Sequence, residues 1–249
     1  MKLKFSHNGK NTFHITTPRG PKDINTCSFA DLYDSLLFKR KSAPHPWKQK
    51  WESEGNIDAS DWVTVWENVH HPSVSQKVQS SAWELLHRNY MCAYFAKIIF
   101  QGTGICKLCR VEQKERIHIF VHCSVLDDCY NSFLPLLNNI FPVGILTIKE
   151  KIRGIKIEKN NHGKDVLRNY ITSIIKHIVY RNRNFNFGQI DNAVETIVNK
   201  VKKYIKEDLR IKHKIASQTH RLESFTNLFL IGNFLGHLNE ENKLTITDF

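Results

Sequence analysis

No run of about twenty apolar residues occurs anywhere in the 249-residue sequence, which excludes a membrane-spanning helix. The Lys-rich beginning has no apolar stretch of the kind a secretory signal needs, so a nuclear or cytoplasmic protein is expected. Cysteine is sparse, six in all, and in a reducing compartment six thiols are a poor disulfide framework. Absent too are a Gly-rich phosphate loop, a Gly-x-Ser-x-Gly elbow and a His-Glu-x-x-His pair, so the commoner catalytic signatures fail. No internal repeat or low-complexity tract interrupts the chain. Hydrophobic residues make up 41%, slightly low, yet over this length they suffice for a core in one large domain or two small ones.

What the sequence does have is positive charge. The net +12 implies an acidic partner, nucleic acid first and an anionic membrane surface second. The charge concentrates in two places. Lys107, Arg110, Lys114 and Arg116 decorate one short loop, and Lys200, Lys202, Lys203, Lys206 and Arg210 lead a long cationic stretch that continues through Lys212 and Lys214. Either could lie along a phosphate backbone, and either could equally be a solvated face. Nothing supports sequence-specific base reading.

Between Cys106 and Cys123 lies the stretch that organises the chain. Cys106 and Cys109 are separated by two residues, His118 follows, and Cys123 comes five residues after the histidine. Three thiolates and an imidazole suit tetrahedral Zn²⁺, whose closed four-ligand sites are structural and leave no position to activate water. A site of this kind contributes on the order of 10–16 kcal/mol of binding energy that is also folding energy. Two rivals stand beside this set. His122 lies four residues from His118, on one helical face, and Cys129 is a further thiol. Using Cys123 requires a helix that starts late or opens at that point, because five residues is about 140° around a regular helix. Buried thiols with no metal are the plain alternative.

The coarse organisation is mainly α: a helical bundle stapled by the Cys₃His zinc site, with a short N-terminal β-hairpin. Three regions are expected: an N-terminal helical and linker region over 1–72, a zinc-binding helical domain over 73–142, and a basic helical region over 143–249. The hairpin is expected around Asn8-Gly9, pairing Leu3–Phe5 with Thr12–Ile15. Helical spacing runs from Ser28 to Phe38, with Asn25, Thr26 or Ser28 as cap, and a Pro-interrupted linker then leads to a short helix before Ile57. Trp62, Val65, Trp66 and Val69 mark a helix begun by Asp58 or Ser60 and ended before Pro72. Residues 73–100 read as two helices broken near Asn89, and 115–140 as a helix with a kink or boundary at Pro135. The polar segment 147–164 reads as a mobile connector. Val166–Arg183 is amphipathic, with Arg168, Lys176, His177 and Arg181 on its polar face, and Gln189–Ile215 is a second long helix. Phe225–Leu235 is apolar and reads as a last core segment, or as a docking element for a protein partner.

Two carboxylate motifs come close to metal-dependent catalysis. Phe29-Ala30-Asp31-Leu32 starts like a reverse-transcriptase signature but has Leu where the second carboxylate belongs, and one carboxylate cannot clamp two Mg²⁺ ions. Asp127-Asp128 sits in a helical context that splays the two side chains about 100° apart. Capping or solvated roles are expected for both.

Trp83-Glu-Leu-Leu-His87, Ile105-Cys106-Lys-Leu-Cys109 and Glu115-Arg-Ile-His118-Ile-Phe-Val-His-Cys123 resemble the zinc-binding segment downstream of the polymerase domain in non-LTR (LINE-type) retrotransposon reverse transcriptases. The Leu32-Tyr33 and Trp62–Trp66 regions are similar to the linker before that segment, and Ile171 to Asn184 to the helix that closes it. Lys107 stands where the family has Pro, and the acidic residue lies three rather than four positions before His118. The resemblance covers about residues 28–184. It implies the nucleic-acid-handling portion of such an element, without the polymerase core or any catalysis of its own, and it adds that core as a partner beside an RNA or DNA backbone. A protein-interaction module built on the same zinc loop is the second expectation.

Overall fold

Ala193, Ile197, Val201, Ile205 and Leu209 fall every four residues, and each is fully buried. This strict spacing lays one apolar stripe along a helix of 29 residues and fixes which side faces the protein. The computed structural model describes residues 14–17, 20–23, 26–28, 31, 46–88, 90, 92–114, 117–140, 146–184 and 190–249. The chain divides into two units, residues 1–51 and 52–249. The boundaries expected at residues 72 and 142 both fall inside the second unit.

In the first unit, β1 (His14–Thr17) pairs antiparallel with β2 (Gly20–Asp23), Thr17 opposite Gly20. The hairpin therefore uses the residues after His14 as its partners. Leu3–Phe5 and Asn8-Gly9, on which the sequence placed it, lie outside the described residues. Most of the helix expected over 28–38 also lies outside them. Its start is described: Ser28 Oγ accepts from the Asp31 amide (3.2 Å) and the Asp31 carboxylate accepts from the Ser28 amide (2.8 Å), the reciprocal arrangement of a capping box.

α1 (Pro46–Gly55) crosses the division between the units. α2 (Asp61–Val69) is capped by Asp58, whose carboxylate accepts from the Ser60 and Asp61 amides at 2.9 and 3.1 Å. α3 (Gln76–Leu86) and α4 (Ala93–Phe100) flank the expected break, where Arg88 takes a positive φ of 54°. The helix expected over 115–140 is two: α5 (His118–Val121) and α6 (Ser124–Ile140), separated at His122-Cys123. Pro135 lies within α6 and is not its boundary.

α8 (His162–Asn182) and α9 (Ile190–Gln218) pack on each other and on α6, and this trio forms the core. α3 and α10 (Leu222–Phe229) cover further sides of α8. The expected polar face of α8 is corrected accordingly: Arg168 and His177 are buried. His177 Nδ1 lies 2.8 Å from Ser81 Oγ of α3, and burial pushes the imidazole down to about 4, so it is neutral at pH 7. Four apolar residues of the 225–235 segment, Phe225, Phe229, Leu230 and Leu235, are buried in the core, while Asn233 and Phe234 stay at the surface. A closing hairpin of β3 (Gly236–Leu238) and β4 (Leu244–Ile246) follows, its strands too short to show alternation in the sequence.

The 147–164 segment is pinned in place. It holds α7 (Ile148–Arg153), begun by a capping box between Thr147 and Glu150, and then an extended stretch gripped by two buried asparagines. Asn68 Nδ2 donates to the carbonyls of Arg153 (2.9 Å) and Ile155 (3.0 Å). Asn169 accepts from the Ile155 amide (2.8 Å) and donates to the Ile155 carbonyl and to Asn68 Oδ1 (both 2.8 Å). Gly154 passes between them at φ +76°, where an added Cβ would come within 2.7 Å of Asn68 Nδ2. Nearby, buried Asp61 accepts from Arg153 (2.5 Å) and pairs with Lys149 (2.7 Å). A linker with satisfied backbone groups at both ends is a structural strut.

Candidate metal centre

The loop between α4 and α5 closes on itself. The Cys106 amide donates to the Val111 carbonyl, the Arg110 amide to the Cys106 carbonyl (both 2.9 Å) and the Gln113 amide to the Gly104 carbonyl (2.8 Å), with Ile105 and Glu112 bridged antiparallel. Positive φ at Gly104 (73°) and Arg110 (62°) turns the chain back at each side of the cysteine pair. Buried Gln113 accepts from the Tyr94 amide at 3.2 Å and anchors the loop to the first turn of α4. Leu108, between the two cysteines, is buried and points the loop inward.

The other two candidate ligands come from the break between α5 and α6. His118 is the first residue of α5, and Cys123 follows its end, with its carbonyl accepting from the Leu126 and Asp127 amides at the start of α6. The chain opens where a Cys123 ligand requires it to. Buried Ile117, Ile119, Phe120, Val121, Val125 and Leu126 hold this corner against the core.

Cys106, Cys109, His118 and Cys123 are all buried, and their four ligand atoms lie within 4.8 Å of one another. Cys109 Sγ and His118 Nε2 are 3.1 Å apart. Around a tetrahedral ion with ligands at roughly 2.0–2.3 Å, neighbouring donors sit about 3.5–3.8 Å apart, so these residues fit a metal ion with little adjustment. The acid–base behaviour of the cluster points the same way. Hydrogen bonds from Cys109 and Cys123 push Cys106 far down, while hydrogen bonds to Cys106 and Cys109 push Cys123 far up. Burial would lower His118, but its hydrogen bonds to Cys106 and Cys109 outweigh that and carry it up to about 9. A dication at the centre of such a cluster stabilises deprotonated thiols.

The rivals are set aside by position. His122 is exposed and outside the cluster, and Cys129, though buried, is outside it too. Burial, with the Asp128 charge, pushes the Cys129 thiol up to about 12, so it is an inert core thiol. The carboxylate motifs have local duties: Asp31 accepts from Lys22 at 2.6 Å, and Asp127 pairs with buried Lys151 while Asp128 is exposed. His87 Nδ1 lies 2.9 Å from the Trp83 carbonyl and its ring stacks on the half-exposed Trp83 indole, centroids 3.9 Å apart.

Of the basic candidates, Lys107, Arg110 and Lys114 are exposed on the loop that carries Cys106 and Cys109, and Arg116 lies outside the described residues. On α9, Lys200, Lys203 and Arg210 are exposed and Lys202 and Lys206 half-buried. Part of this charge is answered within the protein. Lys206 pairs with Asp248 at 2.7 Å, Lys203 approaches Glu207 at 3.9 Å, and Lys200 donates to Asn182 Oδ1 at 2.5 Å. Asp248 and Phe249, which meet the cationic helix, carried no signal in the sequence because only the fold brings them to α9. Compared with protein-family models, curated proteins and solved structures, the chain matches none of them.

Proposed function

We propose that this protein is a zinc-stapled module that holds nucleic acid by its phosphate backbone, and that it corresponds to the zinc-binding portion of a non-LTR retrotransposon reverse transcriptase. Three sulfurs and one imidazole select Zn²⁺ over harder cations, and four protein ligands leave no open position, so the ion braces the fold and activates no water. Its partners are then an RNA or DNA strand and the polymerase core of the same element, in the nucleus or cytoplasm, and binding needs no catalysis of its own.

The observation that carries the nucleic-acid reading is α9. Its buried stripe commits one side to the core, leaving Lys200, Lys203, Arg210 and Lys214 on the outward side. From Lys200 to Lys214 the helix rises about 21 Å, long enough to follow several phosphates. Each phosphate neutralised releases counterions, so log affinity falls linearly with log salt, by about 0.9 per duplex phosphate and about 0.7 per single-strand phosphate. Replacing Lys202, Lys203 and Lys206 by Gln is expected to weaken binding and to shallow that slope by up to about 3. Unchanged affinity in the triple variant would take α9 out of the interface.

A second reading has an observation of its own. Ile98, Ile99 and Phe100 at the end of α4, with Ile105 and Val111 on the metal loop, are all exposed, and exposed apolar residues so grouped suit a protein partner. Gel shifts at low ionic strength separate the two: no binding of RNA or DNA there favours the protein partner.

A further inference from the structure

Two cavities border the cationic side of α9, and they share residues. One is a groove of about 440 Å³ lined by Lys202, Lys203, Lys206 and Arg210, with Glu207 and Asp248 as its acidic members. The other is a cleft of about 390 Å³ walled by Phe133, Pro135 and Leu136 of α6 and by Phe234 and Phe249. Lys202 and Asp248 line both, so the apolar cleft opens beside the charged groove. We propose that this pair of cavities is one site for single-stranded nucleic acid, with phosphates in the groove and an unpaired base in the cleft. The proposal rests on the backbone-binding reading above and adds the class of strand.

The chemistry of the walls argues for a base. A nucleobase is flat, with a π-face that stacks on an aromatic ring and an edge that needs polar partners. Phe234 and Phe249 are half-buried, so each keeps surface to offer, whereas Phe133 is buried and supplies the floor. Asn233 on the cleft wall is exposed, and its side-chain amide makes no hydrogen bond among the described residues, which leaves a donor and an acceptor for a base edge. The hydroxyls there are spent: Ser132 donates to the Asp128 carbonyl (2.8 Å) and Thr247 to the Asn233 carbonyl (3.2 Å). A paired base cannot enter such a cleft without leaving its stack, so the site discriminates against duplex.

The groove is set for a phosphate. Four cations face two carboxylates, and Lys202 and Arg210 make no ion pair among the described residues. Asp248 stands where a phosphate would stand, paired with Lys206 while almost wholly exposed. The Thr247 amide, donating to the Leu235 carbonyl at 3.1 Å, holds the chain just before it. Asp248 is thus an internal competitor, weak because water surrounds it.

The test compares fluorescent short oligonucleotides at fixed salt: single-stranded RNA, single-stranded DNA, the same backbone made abasic, and a duplex. Base stacking on aromatic side chains predicts that strands with bases bind about 5- to 100-fold tighter than the abasic strand. Phe249→Ala is expected to remove most of that preference while leaving duplex and abasic binding unchanged, and Phe234→Leu to act likewise if Phe249→Ala disturbs folding. Asp248→Asn is expected to tighten all strands by a few-fold. Equal, salt-dependent binding of base-bearing and abasic strands would overturn the base site and leave the backbone reading standing. No binding of any strand would overturn both. Preference for an acidic, aromatic peptide over every strand would replace the base with a protein ligand and also overturn the proposal.

Discussion

Two polar regions organise the second unit, and they differ in where their information lies. The Cys₃His cluster draws its four candidate ligands from eighteen consecutive residues, and their spacing is visible before any fold is known. The asparagine clamp joins Asn68, Gly154, Ile155 and Asn169, which are spread over about a hundred residues, and no local pattern marks them. Both bring a loop against helices. One gathers soft donors within reach of a common point, the other uses hydrogen bonds buried from water. Chemistry that is local in sequence can be read there, whereas chemistry assembled by the fold cannot.

The contrast is tested first at the cluster, where the largest effect is expected. Cys106→Ser and Cys123→Ser should each lose bound metal by elemental analysis and melt the helices around residues 83–137 by circular dichroism, since structural zinc is worth on the order of 10 kcal/mol of folding. Undiminished metal in both variants would refute the ligand set. Next comes the clamp. Asn169→Ala strands the Ile155 amide and Asn68 Oδ1 and leaves the Ile155 carbonyl only its Asn68 donor, and Gly154→Ala places a methyl at a strained φ against Asn68. Each is expected to cost about 2–4 kcal/mol in denaturant unfolding, with metal content unchanged. Should Asn169→Ala prove silent, the clamp would be a bystander and the comparison would collapse.

A smaller effect follows pH. Burial alone would raise the Asp61 carboxyl, but Lys149, the Asp58 amide and Arg153 outweigh it and hold it below the usual carboxylate range. A depressed carboxylate stabilises the fold above the unfolded pKa, roughly 4, and this contribution disappears as pH falls through the folded value. The melting temperature of the protein should therefore exceed that of Asp61→Asn at pH 7 and approach it in acid. The smallest effect is expected at Tyr130, whose buried hydroxyl has no hydrogen-bond partner among the described residues and borders a cavity of about 10 Å³ beside Arg168 and Lys151. Tyr130→Phe should leave stability unchanged or raise it by up to about 1 kcal/mol, measured by the same unfolding curves.

Particular residues show how much was legible. The helical character, the interruption near Asn89, the cap at Ser28 and the convergence of Cys106, Cys109, His118 and Cys123 all follow from spacing and cap chemistry. The 147–164 segment was misread because its polarity looks like solvation, whereas its polar groups are consumed by Asn68, Asn169, Asp61 and Asp127. Arg168 and His177 were misread for the converse reason: α8 is covered on more sides than a two-faced helix is. Resemblance supplied the functional expectation, and the salt dependence of binding is the measurement that judges it.

Lys151 ties three helices together. From α7, between the Thr147 cap and the clamp, its ammonium donates to the Val121 carbonyl at the end of α5 and pairs with Asp127 at the start of α6. This one side chain spans the hinge from which His118 and Cys123 reach the cluster. Chelation should then be felt well away from the thiols: amide protons at Ile155 and Leu126 are expected to exchange with deuterium in step, and to lose their protection together when the ion is withdrawn.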